Sequence, residues 1–157
     1  MKNNLLKAVD FFCGGGGMSY GLQNAGIQIL AGIDYEISCK ETYEANIKNA
    51  KFIHANVFEL TEKELENTLN LSKNDDDLIL IGCSPCQYWS VIQTSKKKSE
   101  QSKNLLSEFQ RFVEYFTPGY VVVENVPGVF SRRKESGLDV FIEKLESLGY
   151  VVHFDIH

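Results

Sequence analysis

With 157 residues, 43% of them hydrophobic and 24% charged, the chain holds one domain's worth of material with an ordinary globular balance. No stretch approaches the roughly 20 apolar residues of a membrane span, and no basic-then-apolar leader opens the sequence, so the expectation is a soluble, cytoplasmic protein. A net charge of −5 argues against coating nucleic acid by bulk electrostatics and confines such contact to local basic clusters, Lys96-Lys97-Lys98 with Lys103 and Arg132-Arg133-Lys134.

In chain order, Lys7 to Phe12 reads as a short apolar strand, followed by four glycines, Gly14 to Gly17, and a helical pattern around Tyr20, Leu22 and Ala25 that Gly26 closes. Ile27 to Ile33 predicts a second strand, Ile37 to Asn46 a second helix and Lys51 to His54 a third, very short strand. Thr61 to Leu71 is a polar helix with Thr61 as N-cap and Glu64 completing a capping box. Asp77 to Gly82 (DLILIG) is the uninterrupted apolar run of a strand covered on both faces. Gln87 to Lys103 lacks apolar periodicity and reads as a long functional loop. Leu105, Phe109, Phe112, Val113 and Phe116 share one face of a helix, which Pro118-Gly119 ends. Tyr120 to Val123 is a fifth strand, Asp139 to Leu148 a helix closed by Gly149, and Tyr150 to Ile156 the start of a sixth strand. Strands alternating with helices predict an α/β fold with a doubly wound, mostly parallel sheet.

In such sheets ligands bind outside the carboxyl ends of the strands. Asp10 to Gly17 lies there, and its glycines would let backbone approach a ligand while the helix start offers N–H donors. The spacing does not meet a strict G-x-G-x-x-G rule, which weakens a dinucleotide reading. Asp34, about 20 residues on, can accept from both hydroxyls of a ribose. Glycine turn and acid together point to a nucleoside-containing cofactor, with NAD and S-adenosylmethionine both fitting. Cys83-Ser84-Pro85-Cys86-Gln87 follows the fourth strand and is either a C-x-x-C redox pair or a single nucleophile at Cys86 beside the stiff Pro85. Glu124-Asn125-Val126, after a fifth strand expected beside the fourth, would put a carboxyl group in the same crevice, which favours attack on a ring whose nitrogen gains charge. The four cysteines are too few for a disulfide scaffold, and the three histidines do not fall at zinc spacing, so no metal is expected.

These segments, taken as a collinear series, resemble the DNA cytosine-5 methyltransferase family. Asp10-Phe11-Phe12-Cys13-Gly14-Gly15-Gly16-Gly17 is similar to its first motif, and Gly32 to Glu36 with Glu41 to Asn46 to its second. Pro85-Cys86-Gln87 with Ser90 resembles the fourth, Asn104-Leu105 through Glu108-Phe109 and Arg111 the fifth, and Glu124-Asn125-Val126 the sixth. The resemblance implies a Rossmann-like S-adenosylmethionine-dependent methyltransferase domain over residues 1–157, releasing S-adenosylhomocysteine. It implies that Phe12 and Tyr35 flank the adenine, Asp34 holds the ribose, and the backbone of Cys13, Gly14, Gly15 and Gly17 cradles the methionine end. Asn56-Val57 stands where the family has Asp and an aliphatic residue, and Leu105 would also touch the cofactor. Cys86 would attack carbon 6 of a cytosine flipped out of double-stranded DNA, Glu124 would act at ring nitrogen 3, and Asn125 would orient Pro85 and Glu124. The loop Gln87 to Lys103 would close over the DNA and bring its lysines to phosphates.

Two departures qualify these expectations. Cys83 and Ser84 stand where the family's fourth motif has glycine and proline, and the sequence stops at Tyr150 to His157, before the family's Q-R-R motif and target-recognition region. A truncated chain, a gene fragment and one subunit of a split enzyme all fit. The expectation is a C-terminally incomplete domain with little methylation activity alone and an exposed sheet edge that favours self-association or a second polypeptide. A non-catalytic cofactor-binding fragment and a tRNA cytosine-5 methyltransferase remain the alternatives.

Overall fold

The computed structural model describes residues 5–83, 104–125 and 136–155. Strands form at the five apolar runs: β1 (Lys7–Phe11), β2 (Gln28–Asp34), β3 (Lys51–His54), β4 (Leu78–Gly82) and β5 (Tyr120–Val123). Between and after them lie α1 (Gly17–Asn24), α2 (Lys40–Asn46, entered through a 3-10 turn at Ile37–Cys39), α3 (Glu62–Leu69), α4 (Leu105–Phe116) and α5 (Leu138–Ser147). Every ladder is parallel and the sheet order is β3-β2-β1-β4-β5, the doubly wound arrangement expected of the alternating pattern. Winding runs outward from β1 to β3 and then restarts on the other side of β1, so the switch point lies between β1 and β4.

The strands read as continuous apolar runs because both sheet faces are covered. On one face Val9, Phe11, Ile33, Leu78 and Leu80 pack with α3, α4 and α5 through Leu65, Phe109, Phe112, Phe116, Phe141 and Leu145. On the other, Ala8, Ile29, Ile79 and Ile81 pack with Tyr43 and Ile47, and with Met18 and Leu22 of α1. Successive residues of β1 and β4 alternate between these clusters, as the strand period of two requires. In β2 the register to β1 slips between Ala8 and Val9, which pair with Ile29 and Ala31. That extra residue lets Ile29 and Ile33, four apart, face opposite sides. On α4 the buried positions Leu106, Phe109, Phe112, Val113 and Phe116 form one stripe, and the rings of Phe109 and Phe112 meet Phe11 at 5.3 and 4.8 Å.

The capping box at α3 forms as read from the sequence: Glu64 N donates to Thr61 Oγ1 at 3.2 Å and Thr61 N donates to Glu64 Oε2 at 2.9 Å. The sixth strand does not form among the described residues, where 150–155 join no ladder. Tyr150 and Val152 pack against the core and Val151 is 98% exposed, so the alternation is real, but without a hydrogen-bonded neighbour it makes no strand. Tyr150 is fixed by its hydroxyl, which donates to Pro118 O at 2.5 Å. No helix among the described residues is long and apolar enough to cross a membrane.

Candidate functional site

Strand register brings the candidate residues to one edge of the sheet. Phe11 pairs with both Ile33 and Gly82, Asp34 pairs with His54, and Gly82 pairs with Val123. The next residues, Phe12, Cys83 and Glu124, therefore leave the sheet side by side at its carboxyl ends. Cys13 N donates to Ile33 O at 3.2 Å and Cys83 N to Phe11 O at 3.3 Å, which extends the ladder one step past β1 and β4.

After β1 the chain turns sharply. Phe12 has φ +61°, Gly14 +50° and Gly16 +92°, and Gly16 N donates back to Cys13 O at 2.8 Å. A left-handed φ explains Gly14 and Gly16 on backbone grounds, and a side chain on Gly16 would also crowd Tyr43 and Ile47 at 3.0 Å. Gly17 is different, because a Cβ there would meet nothing within 4 Å among the described residues. Internal packing does not require that glycine, and the open space beside it suits a ligand lying against the backbone. A cavity of about 230 Å³ opens at this point, lined by Gly15, Gly16, Gly17, Tyr20 and Asn46. It reaches the glycine segment but not Asp34 or Tyr35.

Asp34 is tied to the turn. Its Oδ2 accepts from Gly14 N and its Oδ1 from Glu36 N, each at 2.8 Å. A carboxylate has about four acceptor positions, so each oxygen can still accept from a ligand hydroxyl. Tyr35 beside it is 66% exposed, and its carbonyl lies 2.9 Å from His54 Nε2. Asn56 opens the turn after β3: its Oδ1 accepts from Phe58 N at 3.2 Å and its Nδ2 donates to Glu59 Oε1 at 3.0 Å. Val57 is 5% exposed and belongs to the core, while Leu105, the first residue of α4, is half-buried against it. Glu124 is exposed and Asn125 half-buried. Pro85, Cys86, the loop Gln87 to Lys103 and the basic cluster Arg132-Arg133-Lys134 lie outside the described residues.

Two arrangements escaped the sequence reading. Behind the glycine turn Asp10 is buried, with Ser19 Oγ donating to its Oδ2 at 2.6 Å and lying 3.0 Å from the Tyr43 hydroxyl. Its Oδ1 has no hydrogen-bond partner among the described residues, and burial pushes the carboxyl up to about 6 despite the Ser19 hydrogen bonds, with Asp34 adding to the rise. Burial also raises the thiol of Cys13, helped by Asp10 and Asp34, which favours its protonated form. Second, Arg111 on α4 reaches across to the turn that carries Asn56 and Val57. Arg111 was visible only as part of a motif, and its carbonyl partners are more than 50 residues away.

Comparison with known proteins fits this geometry. Residues 6–157 match the family model for C-5 cytosine-specific DNA methylases. The chain is 39% identical over 150 residues to the Type II methylase M.HgiDII of Herpetosiphon aurantiacus, covering 95% of this chain and 41% of that protein. It is 31% identical to the Type II methyltransferase M.FnuDI of Fusobacterium nucleatum, covering 94% and 40%. A shorter relative, the Type II methyltransferase M.HgiGI of Herpetosiphon aurantiacus, is 34% identical over 123 residues and covered to 90%. The chain thus spans about two fifths of the length of the first two relatives. Among solved structures, the fold matches a candidate DNA modification methyltransferase encoded within a prophage (E. coli) with a TM-score of 0.75 at 22% identity, over 90% of this chain and 38% of that one. It also matches the Dnmt2 methyltransferase of S. pombe with a TM-score of 0.61 at 21% identity, over 91% and 41%. With its parallel sheet, its glycine turn tied to Asp34, and a family match that runs nearly end to end, the chain belongs to the C-5 cytosine-specific DNA methylase family.

Proposed function

We propose that the protein transfers a methyl group from S-adenosylmethionine to carbon 5 of cytosine in double-stranded DNA, and that these residues are the cofactor-binding and nucleophile-bearing part of its catalytic domain. The observation that carries this reading is the register Gly82–Val123, which sets Glu124 beside Cys83 at the strand end leading into Pro85-Cys86. The activity is proposed for the whole protein, since the relatives extend well beyond the matched portion. A role in restriction–modification and a cytoplasmic, nucleoid-associated location are proposed with it, from the Type II relatives.

The residues fit the cofactor. Gly17 leaves open space against backbone, Asp34 keeps acceptor capacity on both oxygens, and Tyr35 offers an exposed ring beside it. Asp34 would take the ribose hydroxyls, Phe12 and Tyr35 the adenine faces, Asn56 the adenine amine through Oδ1, and the backbone of Cys13 to Gly17 the methionine end, with Val57 and Leu105 completing the wall. When bound, S-adenosylmethionine supplies an electrophilic methyl group. The chain's own part is to hold the extruded base and make it nucleophilic. Cys86, as a thiolate, adds to carbon 6 while Glu124 donates a hydrogen bond or proton to nitrogen 3, which leaves carbon 5 electron-rich. After methylation a solvent base takes the proton from carbon 5, and its bonding electrons re-form the double bond between carbon 5 and carbon 6. Cys86 leaves as the thiolate, and Glu124 recovers any proton it gave to nitrogen 3. Asn125 would orient Pro85 and Glu124, and the lysines of 96–98 would meet phosphates.

Calorimetric titration with S-adenosylhomocysteine and with its 2′-deoxy analogue, each against the parent and Asp34→Ala, tests the cofactor site. Because Asp34 also holds Gly14 N and Glu36 N, weaker binding alone would not separate ribose contact from turn support. The expected result is that the parent prefers the ribose ligand and Asp34→Ala loses that preference. Equal preference in both proteins would end the assignment. A duplex carrying 5-fluorocytosine tests the chemistry: the parent should form a covalent adduct that Cys86→Ser does not. No adduct, together with disulfide exchange that requires both Cys83 and Cys86, would turn the reading toward redox chemistry.

A further inference from the structure

We propose that Arg111 is a positioning residue for the adenine side of the cofactor site, acting through the turn that carries Asn56. This rests on the adenine contact assigned to Asn56 above. All three nitrogens of the guanidinium are engaged. Nη2 donates to the carbonyls of Val57 at 2.5 Å and Leu60 at 2.7 Å, Nη1 meets Glu62 Oε1 at 2.7 Å, and Nε donates to Glu108 Oε2 at 2.7 Å. Val57 and Leu60 bracket the turn, whose other hydrogen bonds are local: Glu59 N and Leu60 N both donate to Asn56 O at 2.9 Å, and Phe58 N donates to Asn56 Oδ1. Local bonds shape a turn but do not set where it stands. Ala55 N, which donates to Asp34 O at 3.1 Å, and the buried Val57 seat the start of the turn. Arg111 ties its far side to the helix whose first residue is Leu105 and whose Phe109 and Phe112 pack against Phe11 of β1.

The arrangement is more than a surface ion pair. The Arg111 side chain is 29% exposed, and its guanidinium carbon lies 4.3 Å from the centre of the Phe112 ring. Its two carbonyl acceptors share Nη2 while Glu62 and Glu108 take Nη1 and Nε, a set of four acceptors that only a planar fork can span together. Partial burial works against its charge, but Glu108 and Glu62 outweigh that and hold it protonated. Glu62 is in turn held below the usual carboxylate range: its partial burial pushes upward and the Arg111 hydrogen bond, with its own backbone bond, pulls further down. The two acids keep the guanidinium in place, and the fork fixes the turn. Two cofactor walls that the chain supplies 48 residues apart, Val57 and Leu105, thereby become parts of one rigid unit.

Lysine keeps the charge but lacks the fork, so Arg111→Lys separates the two roles. The test is calorimetric titration of the parent, Arg111→Lys, Arg111→Met and Glu62→Gln with S-adenosylhomocysteine and with the analogue whose purine lacks the exocyclic amine, beside thermal unfolding of each. Expected are about a tenfold loss of S-adenosylhomocysteine affinity in both Arg111 variants, within the range for residues that touch no ligand, little change for the amine-free analogue, and near-parent affinity in Glu62→Gln. Parent-like affinity in both Arg111 variants, with only a lowered melting temperature, would reduce Arg111 to a stabilising role. Equal losses for both ligands would mean general loosening rather than placement of Asn56. Should Arg111→Met fail to fold, Arg111→Lys alone decides. A parent that binds neither ligand would overturn the cofactor site itself and this proposal with it, an outcome distinct from the other two.

Discussion

The two helical layers that cover the sheet are built differently. The layer of α3, α4 and α5 meets β1 and β4 with rings and leucines, Phe109, Phe112, Phe116, Phe141 and Leu65 among them. The layer of α1 and α2 packs smaller side chains around Tyr43 and encloses polar atoms, the Asp10 carboxylate, the Ser19 hydroxyl and the Tyr43 hydroxyl, directly behind the glycine turn. Buried apolar area stabilises without regard to direction, whereas a buried carboxylate destabilises unless its partners are complete. The contrast assigns stability to the first layer and shaping of the turn to the second.

The comparison breaks first at Phe112. It is fully buried against Phe11, and Phe112→Ala should cost about 3–5 kcal/mol in urea unfolding, the usual range for a core phenylalanine. A loss below about 2 kcal/mol would mean that this layer collapses readily and is not the stabilising one. Gly32→Ala probes the polar layer. An added Cβ would overlap the Tyr43 ring, which is fully buried and held at its hydroxyl by Ser19, so the ring cannot step aside. The expected loss is about 3 kcal/mol, at the upper end for overpacking. Gly82→Ala, whose Cβ would stand 2.9 Å from Phe109 in the other layer, should cost less by the same assay, because no hydrogen bond pins that ring.

Asp10→Asn sharpens the contrast through pH. The carboxyl is raised from 3.8 to about 6 in the folded chain, so its ionisation opposes folding. The opposition is absent below pH 3.8, grows between the two values and is complete above about 6, where it amounts to about 3 kcal/mol. Asparagine does not ionise, so the stability of Asp10→Asn relative to the parent should shift by about 3 kcal/mol in the variant's favour between pH 3 and pH 7. A pH-independent difference in chemical unfolding would show that Asp10 is not the buried acid described. The smallest effect lies at the surface: Thr61→Ala removes one half of the α3 capping box and should cost about 1 kcal/mol.

Both clamps at the site show how far the sequence could be read. Asp34 was legible because its partners are near in the chain or fall at a spacing that recurs in nucleotide-binding turns: Glu36 is two residues on and Gly14 twenty back. Arg111 was not, because its carbonyl acceptors are main-chain atoms with no residue-type signature. Asp10 stood in plain view inside a motif, but nothing local marks a carboxylate as buried. Its burial follows from the strand period, which turns Asp10 toward α1 and α2 on the same side as Ala8.

The sequence by itself determined the elements and their class. Apolar runs of four to seven residues formed strands, the aromatic stripe of Leu105–Phe116 formed a helix, Thr61 and Glu64 capped α3, and alternation demanded a parallel sheet. These are local properties, written in spacing and in side-chain type. Only the tertiary structure decided the strand order, the bulge in β2, the fate of Tyr150 to Asp155, the burial of Asp10 and the reach of Arg111. Each of these depends on which distant segment comes to lie alongside, and a strand, a buried charge or a clamp exists only once its partner is in place.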